Sequence, residues 1–473
     1  MNPLPAAAFI NGQYCAGAGD FSTLINPATE EPFCEVRGTT LADLEKAIAG
    51  AHRAFIDEWR DLAPGKRAEL LFAVAAKVRE HGEELAQLET QNVGKPISDA
   101  RDEIALGARV FEYYAGAIGK FFGQTIPVAR GGFDFTLHQP LGVVAAIVPW
   151  NFPFPIACWK AAPALAAGNS VVLKPASLSP LTALRLGEFA HAAGIPAGVF
   201  QVLPGSGGTI GDALVQHPLV RKISFTGSTA VGTRIMQLAA PGLKRLSLEL
   251  GGKSPNIIFH DADLDAAARA SPMSVFANAG QDCCARSRVF VEQRVFKAFV
   301  EAFVAATEGL NVGDPTNDKT AVGPLVSAAQ RENTERYLAQ CRRRIVTGGE
   351  RAGTRGFFLR PAVVLDCEPG DVIWREEVFG PVVCIRPFDD EGALLREVND
   401  SPYGLSGSIW TNDLKRAVRL ARRVESGVLS INSHSSVHLE APFGGFKSSG
   451  LGRDLGMQAL EANTELKNIY IAE

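Results

Sequence analysis

Three short segments carry side chains whose types and spacing suit chemistry on a carbonyl. Cys283 closes the run Phe276-Ala-Asn-Ala-Gly280-Gln281-Asp282-Cys283-Cys284, between a helical pattern and a strand-like stretch at 287–292. A loop there can expose a thiol beside backbone amides, which stabilise both a thiolate and an oxyanion. An inert core thiol fits the same segment. Glu249 sits in Leu246-Ser-Leu-Glu249-Leu-Gly251-Gly252-Lys253, a strand end followed by two glycines. Apolar flanks raise a carboxyl pKa and suit it to general-base work near neutral pH. An exposed or ion-paired glutamate is the alternative. Asn151 lies between Pro149-Trp150 and Phe152-Pro153. Prolines fix that backbone, and a rigid amide NH2 can hold an oxyanion, although a plain turn asparagine reads the same way.

Two further segments suit a nucleotide. Lys174 ends a buried strand at 170–174, where a cation can bond a ribose or phosphate, or simply be solvated. Phe225-Thr226-Gly227-Ser228-Thr229 joins a strand to a helix. Gly227 permits close approach, and the amino terminus of a helix favours a pyrophosphate. The G-x-G-x-x-G fingerprint follows no strand of this chain.

The elements that must position these groups are legible in outline. Periodicity predicts helices at 41–59, 64–82, 83–93 and 98–122, then a half-exposed strand at 133–139. From 141 to about 260, strands at 143–148, 170–174, 200–203, 222–226 and 246–250 alternate with helices at 155–167, 180–193, 209–216 and 229–239. That rhythm implies a parallel sheet covered on both faces, with ligands at the carboxyl ends of its strands. A second alternating section follows to about 431. Its strands are expected at 256–259, 287–292, 362–364, 382–386, 406–410 and 428–431, and its helices at 264–278, 294–307, 327–343, 390–399 and 413–424. The strands at 133–139 and 464–471 have no evident local partner.

Composition bounds the function. With 473 residues, 46% hydrophobic and 21% charged, the chain has ordinary globular usage and room for several domains. Lys+Arg 47 against Asp+Glu 51 leaves a net charge of −4, so no basic excess exists to track nucleic acid or an anionic membrane. Residues 141–159 are uncharged but carry three prolines, which argues against a spanning helix. Residues 1–12 do not resemble a secretory signal. The eight cysteines show neither C-x-x-C nor zinc spacing, so no metal is expected and a reducing, cytoplasmic setting is the default.

Taken together, these residues resemble the aldehyde dehydrogenase superfamily of the NAD(P)-dependent, non-CoA-acylating kind. The resemblance runs from about Ile10 to the carboxyl terminus. It rests on Pro149-Trp150-Asn151-Phe152-Pro153, Leu173-Lys174-Pro175, Phe225-Thr226-Gly227-Ser228-Thr229, Leu248-Glu249-Leu250-Gly251-Gly252-Lys253, Gly280-Gln281-Asp282-Cys283, Glu376-Glu377-Val378-Phe379-Gly380-Pro381 and Pro442-Phe443-Gly444-Gly445. It implies that Cys283 attacks the aldehyde, Asn151 and the Cys283 amide hold the oxyanion, and Glu249 activates water to release the acid. It also implies cofactor contacts from Trp150, Lys174, Ser177, Gly227, Ser228, Glu377 and Phe379, and a substrate funnel lined by Phe152, Trp159 and Phe443.

The fold implied is α/β: a Rossmann-like parallel-sheet cofactor domain (1–117 and 141–250), an α/β catalytic domain (251–450) and a small oligomerisation sheet (118–140 and 451–473). The two orphan strands would be completed across a homodimer or dimer of dimers. One position departs from the commonest NAD-specific pattern. Ser177 stands where that pattern has Glu, whose carboxylate repels a 2′-phosphate, so NAD and NADP both remain open. Aromatics in the funnel suit an apolar or aromatic aldehyde, or a cationic aminoaldehyde through cation–π contact. The loop at 433–440 has no Arg to clamp a carboxylate. Two rival readings are a CoA-acylating semialdehyde dehydrogenase and a silent binding or structural protein on the same fold. Glu249 as a water-activating base speaks against the first, and the joint presence of Cys283, Glu249, Asn151 and Lys174 against the second.

Overall fold

The computed structural model describes residues 6–15 and 19–472; the first five residues of the 1–12 stretch lie outside it. Two doubly wound sheets dominate. The centre of the first is five parallel strands in the order Phe200–Val202, Ser170–Lys174, Val143–Ile147, Val220–Thr226 and Arg245–Glu249. The chain starts at Val143–Ile147, steps outward on one side, then crosses to the other. The order therefore reverses beside Val143–Ile147, and the carboxyl ends of the strands splay apart there into a crevice. Val143, Ala145 and Ile147 pack with Leu44, Ala47 and Ile48 of the helix Leu41–Ala54. Val144, Ala146 and Val148 pack with Phe154, Ala157 and Ala161 of the helix Pro153–Ala166. Burial on both faces explains why this strand reads as an unbroken apolar run.

The second sheet has seven strands, in the order Arg344–Thr347, Ala362–Leu365, Val382–Phe388, Arg288–Glu292, Pro255–Ile258, Ser406–Trp410 and Val428–Ile431. All neighbours are parallel except the first pair. Its own core includes Phe276, Phe290, Phe299, Phe303 and Trp374.

The third sheet corrects an expectation. The strand Thr464–Ile471 pairs antiparallel along its whole length with Phe133–Pro140 of the same chain, Thr464 opposite Pro140 and Ile471 opposite Phe133. The two orphans are each other's partners. They lie 324 positions or more apart in sequence, too far for any local pattern to join them. The short strand Thr125–Ile126 completes the sheet. Of the expected 451–473 tail segment, only the last part lies here. Gly450–Leu451 adds to the edge of the first sheet beside Arg245–Glu249, and the helix Gly456–Glu461 packs on Pro153–Ala166.

Other differences are local. The helix expected at 264–278 breaks into Leu264–Ala270 and Met273–Phe276, with Pro272 between them. The helix expected at 327–343 stops at Gln340, and the strand Arg344–Thr347 follows. The amino-terminal hairpin of Phe21–Ile25 with Pro32–Arg37 carries no alternating pattern strong enough to announce itself.

Candidate active site

The switch point gathers three of the expected groups. Asn151 follows Val143–Ile147, Gly227 and Ser228 follow Val220–Thr226, and Glu249 ends Arg245–Glu249. Cys283 comes from the other sheet, in the loop ahead of Arg288–Glu292. That loop turns sharply: Asn278, Ala279 and Gly280 have φ of 50°, 56° and 71°. The left-handed conformation costs roughly 1–2 kcal/mol per non-glycine residue. At position 280 glycine is needed for another reason as well, since a Cβ would lie 2.2 Å from the Gly380 carbonyl oxygen.

Buried amides hold this turn. Asn278 Nδ2 donates to the Asn151 carbonyl at 2.9 Å, and Asn151 Nδ2 donates to the Gln281 carbonyl at 2.9 Å. Gln281 Nε2 donates to the Asn278 carbonyl at 3.0 Å, and its Oε1 accepts from the Val326 amide at 2.9 Å. Lys95 Nζ, fully buried, adds a 3.0 Å bond to the Asn151 carbonyl and an ion pair with Glu103. An amide NH2 has two donors, so Asn151 keeps one beyond its bond to Gln281.

Cys283 and Thr226 belong to the walls of two cavities. One, about 260 Å³, is lined by Trp150, Asn151, Gly227, Ser228, Gly251, Glu377 and Phe379. Trp150 and Phe379 meet edge-on at 5.3 Å. The other, about 220 Å³, is lined by Phe152, Trp159, Phe443, Leu106, Val437, Glu103, Glu249 and Cys284. Trp159 and Phe443 also meet edge-on, at 5.5 Å. Two expected cofactor residues lie outside both walls. Lys174 is buried, and its Nζ donates to the Pro175 carbonyl at 3.0 Å; burial lowers its pKa to about 8. Ser177 lines a separate cavity of about 430 Å³ and donates to the Gly205 carbonyl at 3.0 Å.

Close approach is built into the glycines. A Cβ at Gly252 would sit 2.2 Å from the Cys283 carbonyl oxygen, and one at Gly251 would sit 2.3 Å from Glu377 Oε2. The Gly252 amide donates to Glu377 Oε1 at 2.9 Å. Ser228 caps the helix Thr229–Ala239, accepting from the Val231 amide at 3.4 Å.

The electrostatics are those of a dry, acidic pocket. The Cys283 thiol is pushed well up, first by its hydrogen bond with the Cys284 thiol, then by burial and by the charges of Asp282 and Glu377. Glu249 is 3% exposed, and among the described residues neither carboxyl oxygen has a hydrogen-bond partner. Burial raises its pKa well above the usual range and Asp454 adds to this, while Lys160 and Arg453 oppose. Lys160 Nζ, also buried, donates to Asp454 at 2.9 Å and to Ser224 at 3.1 Å. Burial takes Glu377 to about 7 and Glu103 to about 8, the latter against the pull of Lys95.

Sequence reasoning assigned no role to Lys95, Glu103, Asn278, Lys160 or Asp454. Two carried a usable signal. Lys95 stands in the three-residue break between the helices Gly82–Val93 and Ile97–Ala117, flanked by Val93 and Ile97. Glu103 falls three residues after Ala100 and four before Gly107, on the buried face of its helix. The other three become visible only through contacts across the sheets.

A switch-point crevice in one doubly wound unit, closed by a thiol loop from a second, defines the architecture of a two-unit α/β dehydrogenase. The aldehyde dehydrogenase family profile matches residues 14–469, so the chain belongs to that family and is an enzyme that oxidises aldehydes. It is 41% identical over 471 residues to the aldehyde dehydrogenase of Enchytraeus buchholzi, covering 98% of this chain and 95% of that one. Its structure is similar to the NAD+ complex of aldehyde dehydrogenase from Bacillus cereus, with TM-score 0.97, 39% identity, and 98% and 96% of the two chains covered. It is likewise similar to a variant of the P. syringae indole-3-acetaldehyde dehydrogenase AldA in complex with NAD+ and IAA, with TM-score 0.97, 40% identity and the same coverage.

The unpartnered Glu249 makes stability depend on pH. Its folded pKa lies above its unfolded value, so the folded state holds a proton that the unfolded state releases first. Stability is therefore lost as pH rises from the unfolded carboxyl range toward the folded pKa. Glu249→Gln removes this loss. The variant is expected to melt above wild type at pH 8–9, with the difference vanishing near pH 4, by calorimetry across pH. A constant difference at every pH would assign the effect to packing.

Proposed function

We propose that Cys283 is the nucleophile of an NAD(P)-linked aldehyde oxidation completed by hydrolysis. The observation that carries this is the placing of Cys283 in the common wall of two cavities, one suited to a dinucleotide end and one apolar. The Cys283 thiolate forms a C–S bond to the aldehyde carbon while the carbonyl π pair moves to oxygen. The free Asn151 N–H and the Cys283 amide receive that oxyanion. A bound nicotinamide dinucleotide supplies the hydride acceptor. Cys283 is left carrying a thioester. Glu249 takes a proton from water, the water attacks, and Cys283 departs as thiolate. A base raised by burial is strong once ionised, so this half-reaction quickens as pH rises.

The residues fit the cofactor. Gly251 leaves the space that the Glu377 carboxylate occupies, and Glu377 suits a ribose diol. The capped amino terminus of Thr229–Ala239 suits a pyrophosphate. Lys174 and Ser177 would serve the adenosine end, and Trp150 and Phe379 would flank the nicotinamide end.

The substrate reading is a neutral aromatic or apolar aldehyde. The Glu103 carboxyl is bonded to Lys95 Nζ, and the Lys95 ammonium already lies over the Phe152 ring at 4.1 Å. One carboxyl and one ring that could greet a cationic aldehyde are thus occupied. The name of the P. syringae relative, which refers to an indole aldehyde, accords with this. A cytoplasmic setting is supported by eight free thiols, and no helix among the described residues is long and apolar enough to cross a membrane. A homodimer or dimer of dimers is supported by unpaired outer edges at Val428–Ile431 and Thr464–Ile471, with Ile431, Leu466 and Ile471 exposed. Sedimentation at micromolar concentration is expected to give a dimer or larger species, and a monomer would overturn that assembly.

The mechanism is tested by initial rates on aromatic, aliphatic, cationic and acidic aldehydes, each with and without CoA. Aromatic aldehydes are expected to lead, without CoA dependence. Cys283→Ala is expected to abolish turnover while still binding cofactor, and Cys284→Ala to keep a substantial fraction. Glu249→Gln is expected to slow the steady state by about 10²–10⁴-fold yet keep a burst of reduced cofactor. A lost burst would place Glu249 in the acylation half, and full activity in Cys283→Ala would end this reading.

The cofactor test turns on Ser177. Nothing at that position repels a 2′-phosphate, so both cofactors are expected to work, with kcat/KM within about two orders of magnitude. Ser177→Glu is expected to depress NADP use far more than NAD use, measured at one salt concentration because the phosphate interaction is screened. No detectable NADP activity in wild type would show that another group guards the pocket.

A further inference from the structure

Arg286 is a buried cation, 2% exposed, three residues beyond the thiol. Among the described residues no carboxylate lies within ion-pair distance of it. Its fork is instead spent on neutral acceptors from three separate segments. Nη1 donates to the Cys284 carbonyl at 2.6 Å, Nε to Ser408 Oγ at 3.1 Å, and Nη2 to the His434 carbonyl at 3.3 Å. Ser408 Oγ also lies 3.0 Å from His434 Nδ1, and His434 Nε2 lies 3.4 Å from Ser271 Oγ. Burial, reinforced by Arg286, takes His434 to about 3, so its imidazole is neutral at physiological pH. The cluster therefore holds one positive charge and no negative one.

Its place in the site gives that charge a task. His434 opens the loop whose Ser436 and Val437 line the cavity of about 220 Å³, and Cys284 follows the thiol directly. We propose that Arg286 is a positioning residue for the reaction, tying the outer wall of the substrate cavity to the thiol loop and stabilising the ionised Cys283 thiol. This rests on the reading of Cys283 as nucleophile. The titratable groups facing Cys283 are Asp282 and Cys284 on its own loop, Glu377, and the carboxyls Glu249 and Glu103 of the shared cavity. All of these oppose a thiolate when ionised. On the cationic side, Lys95 is already paired with Glu103, and Arg286 is the loop's own guanidinium, without a direct ion pair and acting on Cys283, Cys284 and Asp282 alike. Loss of a desolvation-weakened but unpaired charge is felt strongly in such a medium. A lysine could not reproduce the arrangement, because a point charge lacks the planar fork that reaches three acceptors.

Two readouts separate the tether from the charge. The first is the pH dependence of Cys283 alkylation by iodoacetamide without cofactor, with the modified residue located by mass spectrometry. Arg286→Gln, checked for folding by circular dichroism, is expected to raise the apparent thiol pKa by about one unit or more. Alkylation below that pKa then slows about tenfold. The second readout is KM against kcat for an aromatic aldehyde. Arg286→Lys and Ser408→Ala keep the charge and loosen the wall, so both are expected to leave the alkylation profile in place while raising KM several-fold. A wild-type profile in folded Arg286→Gln would overturn the electrostatic role. Unchanged KM in both charge-keeping variants would overturn the tether, and decides the matter if Arg286→Gln fails to fold. Activity surviving in Cys283→Ala would instead remove the nucleophile reading itself, an outcome independent of Arg286.

Discussion

The site depends on one constraint: two sheets with separate cores must be pinned together to within hydrogen-bonding tolerance. The pin is the exchange of amides between Asn151 and the Asn278–Gln281 turn. Each partner spends a side-chain donor on the other segment's carbonyl, so neither loop keeps its shape alone. The left-handed backbone at Asn278 and Ala279 persists because breaking it would strand several buried donors, each costing about 1–3 kcal/mol. Glycines complete the closure. At Gly252 the Cys283 carbonyl occupies the space a side chain would need.

Low dielectric follows from this closure, and the charges show its effect. Glu249, Glu377 and Glu103 all move upward with burial as the first cause. Cations are distributed unevenly among them. Lys95 serves Glu103, Lys160 serves Asp454, and Arg286 serves only carbonyls and a hydroxyl. The pocket thus favours the protonated form of its carboxyls around the thiol proposed as the nucleophile.

Much of this was legible in the chain. The central strands were readable because burial on both faces writes continuous apolar runs, and the strand Ser170–Lys174 stands where its pattern predicts. Glu249 and Asn151 were visible because each interrupts an apolar or proline-bounded segment with one reactive group, and Cys283 because it closes Gly280-Gln281-Asp282-Cys283 in a loop between a helical pattern and a strand. What escaped depends on distance in sequence. Phe133–Pro140 and Thr464–Ile471 find each other only after everything between them has folded. Pro272 and the turn after Phe276 break a helix whose apolar spacing looked continuous. Asp454 and Lys160 are 294 positions apart, and neither has a local feature that separates it from a surface charge. Arg286 looked like one more basic residue until three segments converged on it.

The uneven anchoring of the two loops around the thiol also bears on how such a site can diversify. The 276–286 loop is buried, cross-bonded and bounded by glycines that admit no side chain, so most substitutions there disturb the sheet junction as well as the chemistry. The 433–440 loop is only half-buried and is held near one end by the His434 contacts. Substitutions on the outer loop can therefore reshape the cavity wall at Ser436 and Val437 while leaving the packing around Cys283 in place.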